Sequence, residues 1–394
     1  MTPRKNLILA VVLAGVAFVG IRIAPLVIEL PIRFDWSLDH VPTPQAEQIA
    51  QDPFEELGAL ADVARAQARA EDGLFALAGV TGTGVGWTES GAPAVKVFVE
   101  PGTAPALPVR IEDFPVVTHE AGPFDALAGQ EAPAAPGAAQ EADIRDLRVS
   151  AAPASDGQLP NTRFERPVPM GVSTGHLNST AGTIGAVVTD GRQTYALSNW
   201  HVYVPGGRAR VGDVLLQPGP YDGGLAPGDV IGTLADFEPV KLSLFANNRI
   251  DAAIALTDQV APRTPSDGYG SPRSETMAAK PGLAVKKYGR TTGFTVGRVD
   301  AVNASINVNY GSAGSQVARF NGQVVLCCDM SQGGDSGSLI VAHDVDDEGN
   351  PGPNDRRPVA LLFAGDRMRT IANPIDLVLD RFGVTIVGDE DAGR

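Results

Sequence analysis

Apolar residues recur along this chain with several rhythms, and each predicts a different element. Between residues 7 and 30 they are nearly continuous: Leu7 to Ile21, a break at Arg22, then Ile23 to Leu30. Behind the basic start Met1-Thr2-Pro3-Arg4-Lys5, the 1–31 segment fits a signal peptide or a membrane anchor. No small-x-small cleavage site follows the apolar core, which favours an uncleaved anchor. Its basic flank predicts a cytoplasmic N-terminus with the bulk of the chain outside, anchored to the cell membrane by residues 7–30, or secreted if the segment is removed.

Over 45–72 the spacing changes. Leu57, Leu60, Ala64 and Ala68 fall on one helical face, predicting an amphipathic helix. Strand-like runs follow at Leu77 to Trp87, Ala94 to Val99 and Val109 to His119, the last interrupted by Pro115. Residues 45–120 are therefore expected to form a small α+β unit, either a regulatory or substrate-presenting domain or a structural cap. His119 has no partner motif and is expected on the surface. Residues 121–168, rich in Ala, Pro, Gly and Glu without periodicity, read as a mobile linker.

From 169 onward, short apolar runs alternate with glycine. One set covers Thr183 to Val188, Thr194 to Ser198, Val211 to Leu216, Asp229 to Leu234 and Ile250 to Leu256, with a further strand near Pro239 to Leu244. Pro262 to Pro281 reads as a connection. The second set covers Leu283 to Tyr288, Thr295 to Val302, Ile306 to Tyr310, Gln323 to Cys328, Ser338 to Ala342 and Val359 to Phe363. Such regular short strands predict an all-β barrel or sandwich. Asn373-Pro374 ahead of Ile375 to Phe382 predicts a closing helix with proline at its start.

Composition narrows the function classes. The chain has 394 residues and a net charge of −15, which argues against nucleic-acid binding. The 31 prolines and 45 glycines suit turns rather than long helices. The cysteines Cys327 and Cys328 are adjacent, and strand neighbours point to opposite faces. They are expected to be unbonded, buried and small, and no disulfide framework is expected.

The candidate chemistry centres on Ser331-Gln332-Gly333-Gly334-Asp335-Ser336-Gly337-Ser338. Glycines allow a tight turn that presents one hydroxyl and bare N–H groups to a single point. Acyl transfer needs that combination, together with a base and a carboxylate to orient it. Among five histidines, His201 closes the strand-like run Tyr195 to Val202, and Asp251 opens Asp251-Ala252-Ala253-Ile254-Ala255-Leu256. The order His201, Asp251, Ser336 is one of those known for this triad.

These three motifs together resemble the trypsin-like serine proteases of the chymotrypsin fold. More narrowly, the chain resembles a bacterial branch with an extra N-terminal domain, related to the narrow-leaf protein of plants. The segments Gln217-Pro218-Gly219-Pro220-Tyr221-Asp222-Gly223-Gly224, Gly289-Arg290-Thr291-Thr292-Gly293 and Thr370-Ile371-Ala372-Asn373-Pro374-Ile375 carry that narrower likeness. The resemblance implies a mainly β protein: a chymotrypsin-like double β-barrel over 169–388, preceded by the small α+β domain. It implies a serine endopeptidase acting on protein or peptide substrates through an acyl-enzyme. Ser336 is then the nucleophile, His201 the base and Asp251 its orienting carboxylate. Gly334 and Ser336 N–H groups become the oxyanion donors, and Met330, Ala364 and Gly365 line a substrate pocket with a slight non-basic preference. No cofactor or metal is expected; the oligomeric state stays open.

Two departures matter. Asn199-Trp200 precedes His201 where small residues are usual. No free Ile-type terminus is evident to pair with Asp335, so another group is expected to hold it. The α/β-hydrolase reading fails: Ser338 stands where its elbow needs glycine, and His343 is too close to the serine. A zinc site fails for lack of spaced His/Cys ligands. Asp344 to Asp355 is similar to a calcium loop, with prolines at 351 and 353 inside it, and a solvated hairpin loop is favoured. The other class of function is a catalytically silent protease-fold scaffold that binds a partner.

Overall fold

The computed structural model describes residues 52, 54–127, 157–179, 181–311 and 316–389. The expected anchor over 7–30 lies outside the described residues. Among the described residues no helix is long and apolar enough to cross a membrane. Asp52–Arg394 forms one compact unit, and all that follows concerns it.

A 3-10 segment, Glu55–Leu60, leads into α1 (Ala61–Phe75). Alanine, arginine and glutamine are good helix formers, and α1 is rich in them. Its buried stripe runs through Val63, Ala64, Ala66, Gln67 and Leu74, whereas Ala68, expected on that face, is exposed. The stripe covers the hairpin of β1 (Val80–Trp87) and β2 (Pro93–Val99). Next come β3 (Arg110–Ile111) and β4 (Phe114–Glu120), which pairs parallel with β2. Strand β5 (Phe124–Ala126) follows.

The second stretch holds β6 (Val168–Pro169), β7 (Ser173–His176), β8 (Gly182–Thr183), β9 (Ala186–Thr189) and β10 (Thr194–Ser198). The one-turn helix α2 (Trp200–Tyr203) comes next, then β11 (Val214–Leu216), β12 (Val230–Phe237), β13 (Ala253–Leu256) and β14 (Val260–Ala261). The third stretch holds β15 (Ala284–Gly289), β16 (Gly293–Asn309), β17 (Val317–Cys327), β18 (Leu339–Ala342), β19 (Pro358–Gly365), β20 (Arg369–Pro374), α3 (Ile375–Phe382) and β21 (Thr385–Ile386).

The chain is mainly β, with two barrel-like sheets. One is eight-stranded, in the order β21-β9-β10-β13-β12-β11-β7-β8. In the other, the path β15-β18-β19-β20-β17-β16 closes on itself because β15 also pairs with β16. The closing helix falls at Ile375–Phe382, where the sequence predicts it.

Several expectations need correction. No strand forms near Pro239 to Leu244; Lys241 N instead donates to Asn248 Oδ1 at 2.8 Å. The two strands predicted over 295–310 are one, β16. Its first part pairs with β15, and its later part with β1. The 52–127 segment therefore continues the sheet of the second barrel. Val63, Val97, Leu326, Ile340 and Leu362 share one core cluster across that junction. Nor are both described ends of the presumed 121–168 linker loose. Phe124 is buried in β5, and Arg163 pairs with Asp229 at 2.5 Å.

His119 is not a surface histidine. It lies half-buried at the same junction, with Lys96 Nζ 3.1 Å from its Nε2 and Arg369 Nη2 3.1 Å from its Nδ1. Asp300 joins these cations, 3.3 Å from Lys96 Nζ and 3.0 Å from Arg369 Nη1. Burial alone would raise the Asp300 carboxyl, but the charges of Arg369, Lys96 and His119 outweigh it and hold it below its ordinary value.

The cysteines also depart from expectation: Cys327 and Cys328 are disulfide-bonded and only partly buried. Alternation keeps neighbours apart only inside a strand. Here β17 stops at Cys327, and Cys328 turns to φ 88°.

Asp300→Asn leaves two buried cations without their carboxylate and is expected to cost about 3–5 kcal/mol at neutral pH, read by chemical denaturation. A carboxyl held below its ordinary value of 3.8 contributes stability above that pH and loses it as pH falls through the folded value. The gap between wild type and variant therefore narrows on acidification below 3.8.

Candidate active site

His201 sits in α2, straight after β10, whose partner β13 begins two residues past Asp251. That antiparallel pairing brings the two motifs together. His201 Nδ1 lies 2.7 Å from Asp251 Oδ2, and the His201 backbone N–H donates to Oδ1 at 3.3 Å. With Nδ1–H donated to the carboxylate, Nε2 is the bare, proton-accepting nitrogen. Among the described residues it has no hydrogen-bond partner. Asp251 is fully buried. Its backbone is fixed by Asn199 Nδ2, which donates to Asp251 O at 2.7 Å, and by Asn373 Oδ1, which accepts from Asp251 N at 3.0 Å.

A third side chain reaches this pair from the other barrel. The Tyr310 hydroxyl donates to Asp251 Oδ2 at 2.5 Å, and its ring meets the His201 ring edge-on at 5.9 Å. Burial, and then the Asp251 charge, push the Tyr310 hydroxyl well above its ordinary value, so it remains a donor.

Ser336 comes from the loop between β17 and β18 and is buried, with Oγ donating to Phe363 O at 3.3 Å. The Thr183 N–H donates to Ser336 O at 2.7 Å. Gly182 marks how closely the two motifs approach. A Cβ there would stand 2.4 Å from Val202 Cγ2, next to His201, and 3.0 Å from Ser336 O. The serine loop and the histidine turn thus meet over one glycine.

Asp335 is held by an internal group, as expected. Lys287 Nζ lies 3.4 Å from Asp335 Oδ2, with both side chains fully buried. Thr291 N at 2.8 Å, Gln332 N at 3.0 Å and Thr292 Oγ1 at 2.7 Å complete the cradle. Burial holds the Lys287 ammonium below its ordinary value, while the Asp335 charge pulls it back up. Arg290 braces the loop from outside. It pairs with Asp222 through Nε at 2.9 Å and again through Nη2, and lies over the Tyr221 ring. Gly334 has φ 98°, and a Cβ on it would strike Thr291 Oγ1 at 2.5 Å.

The Gly334 N–H points at a peptide carbonyl, donating to Leu127 O at 2.8 Å. Leu127 N in turn donates to Phe363 O at 3.2 Å. Strand β5 lies antiparallel on β19, with Ala126 opposite Ala364 and Asp125 opposite Gly365. Of the expected pocket residues, Ala364 and Gly365 form this strand edge. Met330 is fully buried in the core cluster against which Leu127 packs.

In the acidic loop over 344–355, Asp344 and Asp355 turn inward, whereas Asp346, Asp347 and Glu348 are exposed. Asp355 pairs with Lys286 Nζ at 2.8 Å, and Asp344 Oδ2 accepts from Asn354 N. Among the described residues no group of His, Cys, Asp and Glu side chains is arranged to hold a metal ion.

Sequence reasoning missed Tyr310, Lys287 and the functional placement of Leu127. Arg290 and Asp222, from two of the segments singled out in the sequence, pair with each other, and Asn373, from the third, holds the Asp251 backbone.

No protein-family model matches the chain, and no curated protein matches it. Among solved structures it is similar to Thermobifida fusca protease A, at 19% identity over 56% of this chain and 99% of that one, with a TM-score of 0.39. It is also similar to a serine protease described as specific for glutamic acid (23% identity, 56% and 100% coverage, TM-score 0.38). A third is Cellulomonas bogoriensis chymotrypsin (19% identity, 56% and 99% coverage, TM-score 0.37). At TM-scores this low the likenesses decide nothing about activity, and the functional reading rests on the site's own geometry.

Lys287→Met leaves the Asp335 carboxylate buried without its cation. A loss of about 3–5 kcal/mol is expected, measured by denaturant unfolding. Tyr310→Phe removes a hydrogen bond to a charged group, worth about 1.5–3 kcal/mol. The denaturation midpoint is expected to fall while the unfolding transition stays cooperative; an unchanged midpoint would mean that Asp251 needs no second donor.

Proposed function

We propose that this chain is a chymotrypsin-like serine endopeptidase. Ser336 attacks a peptide carbonyl, and His201 Nε2 takes the hydroxyl proton and then delivers it to the leaving amine. Asp251 holds the imidazole in the tautomer that leaves Nε2 bare and stabilises the imidazolium. The Gly334 and Ser336 N–H groups receive the oxyanion.

The observation that carries this reading is the peptide carbonyl of Leu127, which accepts from Gly334 N at 2.8 Å in the loop that bears Ser336. A silent scaffold would have no need of a bare imidazole nitrogen on a histidine oriented by a buried carboxylate, or of a glycine N–H aimed at a carbonyl. Substrates are proteins or peptides, bound as an extended strand along Phe363–Gly365. The basic start and the apolar run over 7–30 support action outside the cytoplasm, with that segment as the membrane attachment. The net charge of −15 disfavours nucleic acid as a partner.

A fluorophosphonate probe on the full chain tests the chemistry without knowledge of the substrate. Wild type is expected to label at Ser336, Ser336→Ala not at all, and His201→Ala slower by about 10⁴-fold. Labelling of none of the three, nor of a Leu127→Asp chain whose seated segment is loosened, would favour the silent scaffold.

A further inference from the structure

The cleft of this protein is occupied by its own chain. Strand β5 makes the contacts that an extended substrate needs ahead of its cleaved bond. Its backbone pairs antiparallel with Ala364 and Gly365. The last residue of the stretch, Leu127, donates its N–H to Phe363 O at 3.2 Å and offers its carbonyl to Gly334 N at 2.8 Å. Ser336 Oγ is bonded to the same Phe363 oxygen at 3.3 Å, so nucleophile and peptide converge on one atom. The Leu127 side chain is half-buried against the cluster that contains Met330 and Leu362.

The strand is delivered in cis by the N-terminal unit and is firmly seated. Phe124 is buried, meeting Phe98 edge-on at 6.3 Å, and β5 also pairs with β16, Phe124 opposite Val308. Gly122 N donates to Asp366 Oδ2 at 2.5 Å, tying the approach to β5 to the loop after β19.

We infer that the Leu127–Ala128 peptide bond is a substrate of this protein's own active site, and that the site takes leucine or a similar apolar residue on the acyl side of the bond it cuts. The inference rests on the serine-protease reading above. In the first step Ser336 Oγ bonds to the Leu127 carbonyl carbon while its proton passes to His201 Nε2. The carbonyl electron pair moves onto oxygen, held by Gly334 N–H. Collapse breaks the bond to Ala128 nitrogen, which receives the proton from His201. Water then adds to the acyl carbon as its proton passes to His201; Ser336 Oγ departs with that proton from His201, and the new Leu127 carboxylic acid ionises to a carboxylate. The fragment ending at Leu127 stays bound after cleavage, because β1 remains paired with β16 and the core across that junction is shared.

Full-length wild type, Ser336→Ala, Leu127→Met and Leu127→Asp are incubated and analysed by intact mass under denaturing conditions and by N-terminal sequencing. Ser336 reactivity is followed in parallel with the fluorophosphonate. Expected are a fragment beginning at Ala128 in wild type and Leu127→Met, an intact Ser336→Ala chain, and cleavage slowed about a hundredfold in Leu127→Asp. Under native conditions the two wild-type fragments co-elute. A wild-type chain that labels at Ser336 yet stays uncut between Leu127 and Ala128, or is cut elsewhere, overturns the inference and leaves the protease reading intact. So does cleavage of Leu127→Asp at the wild-type rate, or cleavage at this bond in Ser336→Ala. If neither wild type nor Leu127→Asp labels and no chain is cut, both readings fall together.

Discussion

The buried ion pair between Lys287 and Asp335 is the constraint on which the site depends. Asp335 immediately precedes Ser336 and follows Gly334, so the position of its carboxylate sets the course of the whole loop. A fully buried carboxylate is tolerable only with a cation and hydrogen-bond donors around it. Lys287 supplies the charge from β15, and Thr291, Thr292 and Gln332 supply the donors. All of these belong to the second barrel, so the loop is fixed by local contacts and needs no chain terminus. Gly334 can then hold φ 98° and direct its N–H outward.

The His201–Asp251 half of the site is built differently, by contact between the barrels. His201 and Asp251 are brought together by the pairing of β10 with β13, but the second donor to the carboxylate, Tyr310, stands at the end of β16. Asn373, in β20, holds the Asp251 backbone from the same side. A shift of one barrel relative to the other would thus disturb the His201–Asp251 pair as well as its distance from Ser336. The close approach at Gly182 leaves little room for such a shift.

Much of this was legible in the sequence, for physical reasons. Glycine-rich turns and period-two apolar runs are local signals, so most of the barrel strands and the closing helix appeared where the pattern put them, while the strand near Pro239 to Leu244 did not form and two over 295–310 merged. The serine loop, His201 and Asp251 were legible because their residue types and order are informative in themselves. Tyr310 and Lys287 were not, because a tyrosine at a strand end and a lysine inside a strand acquire meaning only from a partner distant in sequence. The cysteines misled because alternation was applied across a strand end. Residues 124–127 read as linker because a short strand flanked by proline and glycine has no periodicity of its own; its order comes from the edges of β16 and β19. His119 looked isolated for the same reason, since its partners Lys96 and Arg369 lie on other strands.

The double use of β16 has a further consequence for the integrity of the molecule. Its later part has β17 on one side and β1 on the other, so β1 shields a run of backbone donors and acceptors that would otherwise face water. Stripping away the 52–127 segment would bare that edge together with the second-barrel residues that share its core, among them Leu326 and Leu362, a combination that templates association between chains. The 52–127 segment therefore covers an edge of the two-barrel part, whether or not the connection between them is intact.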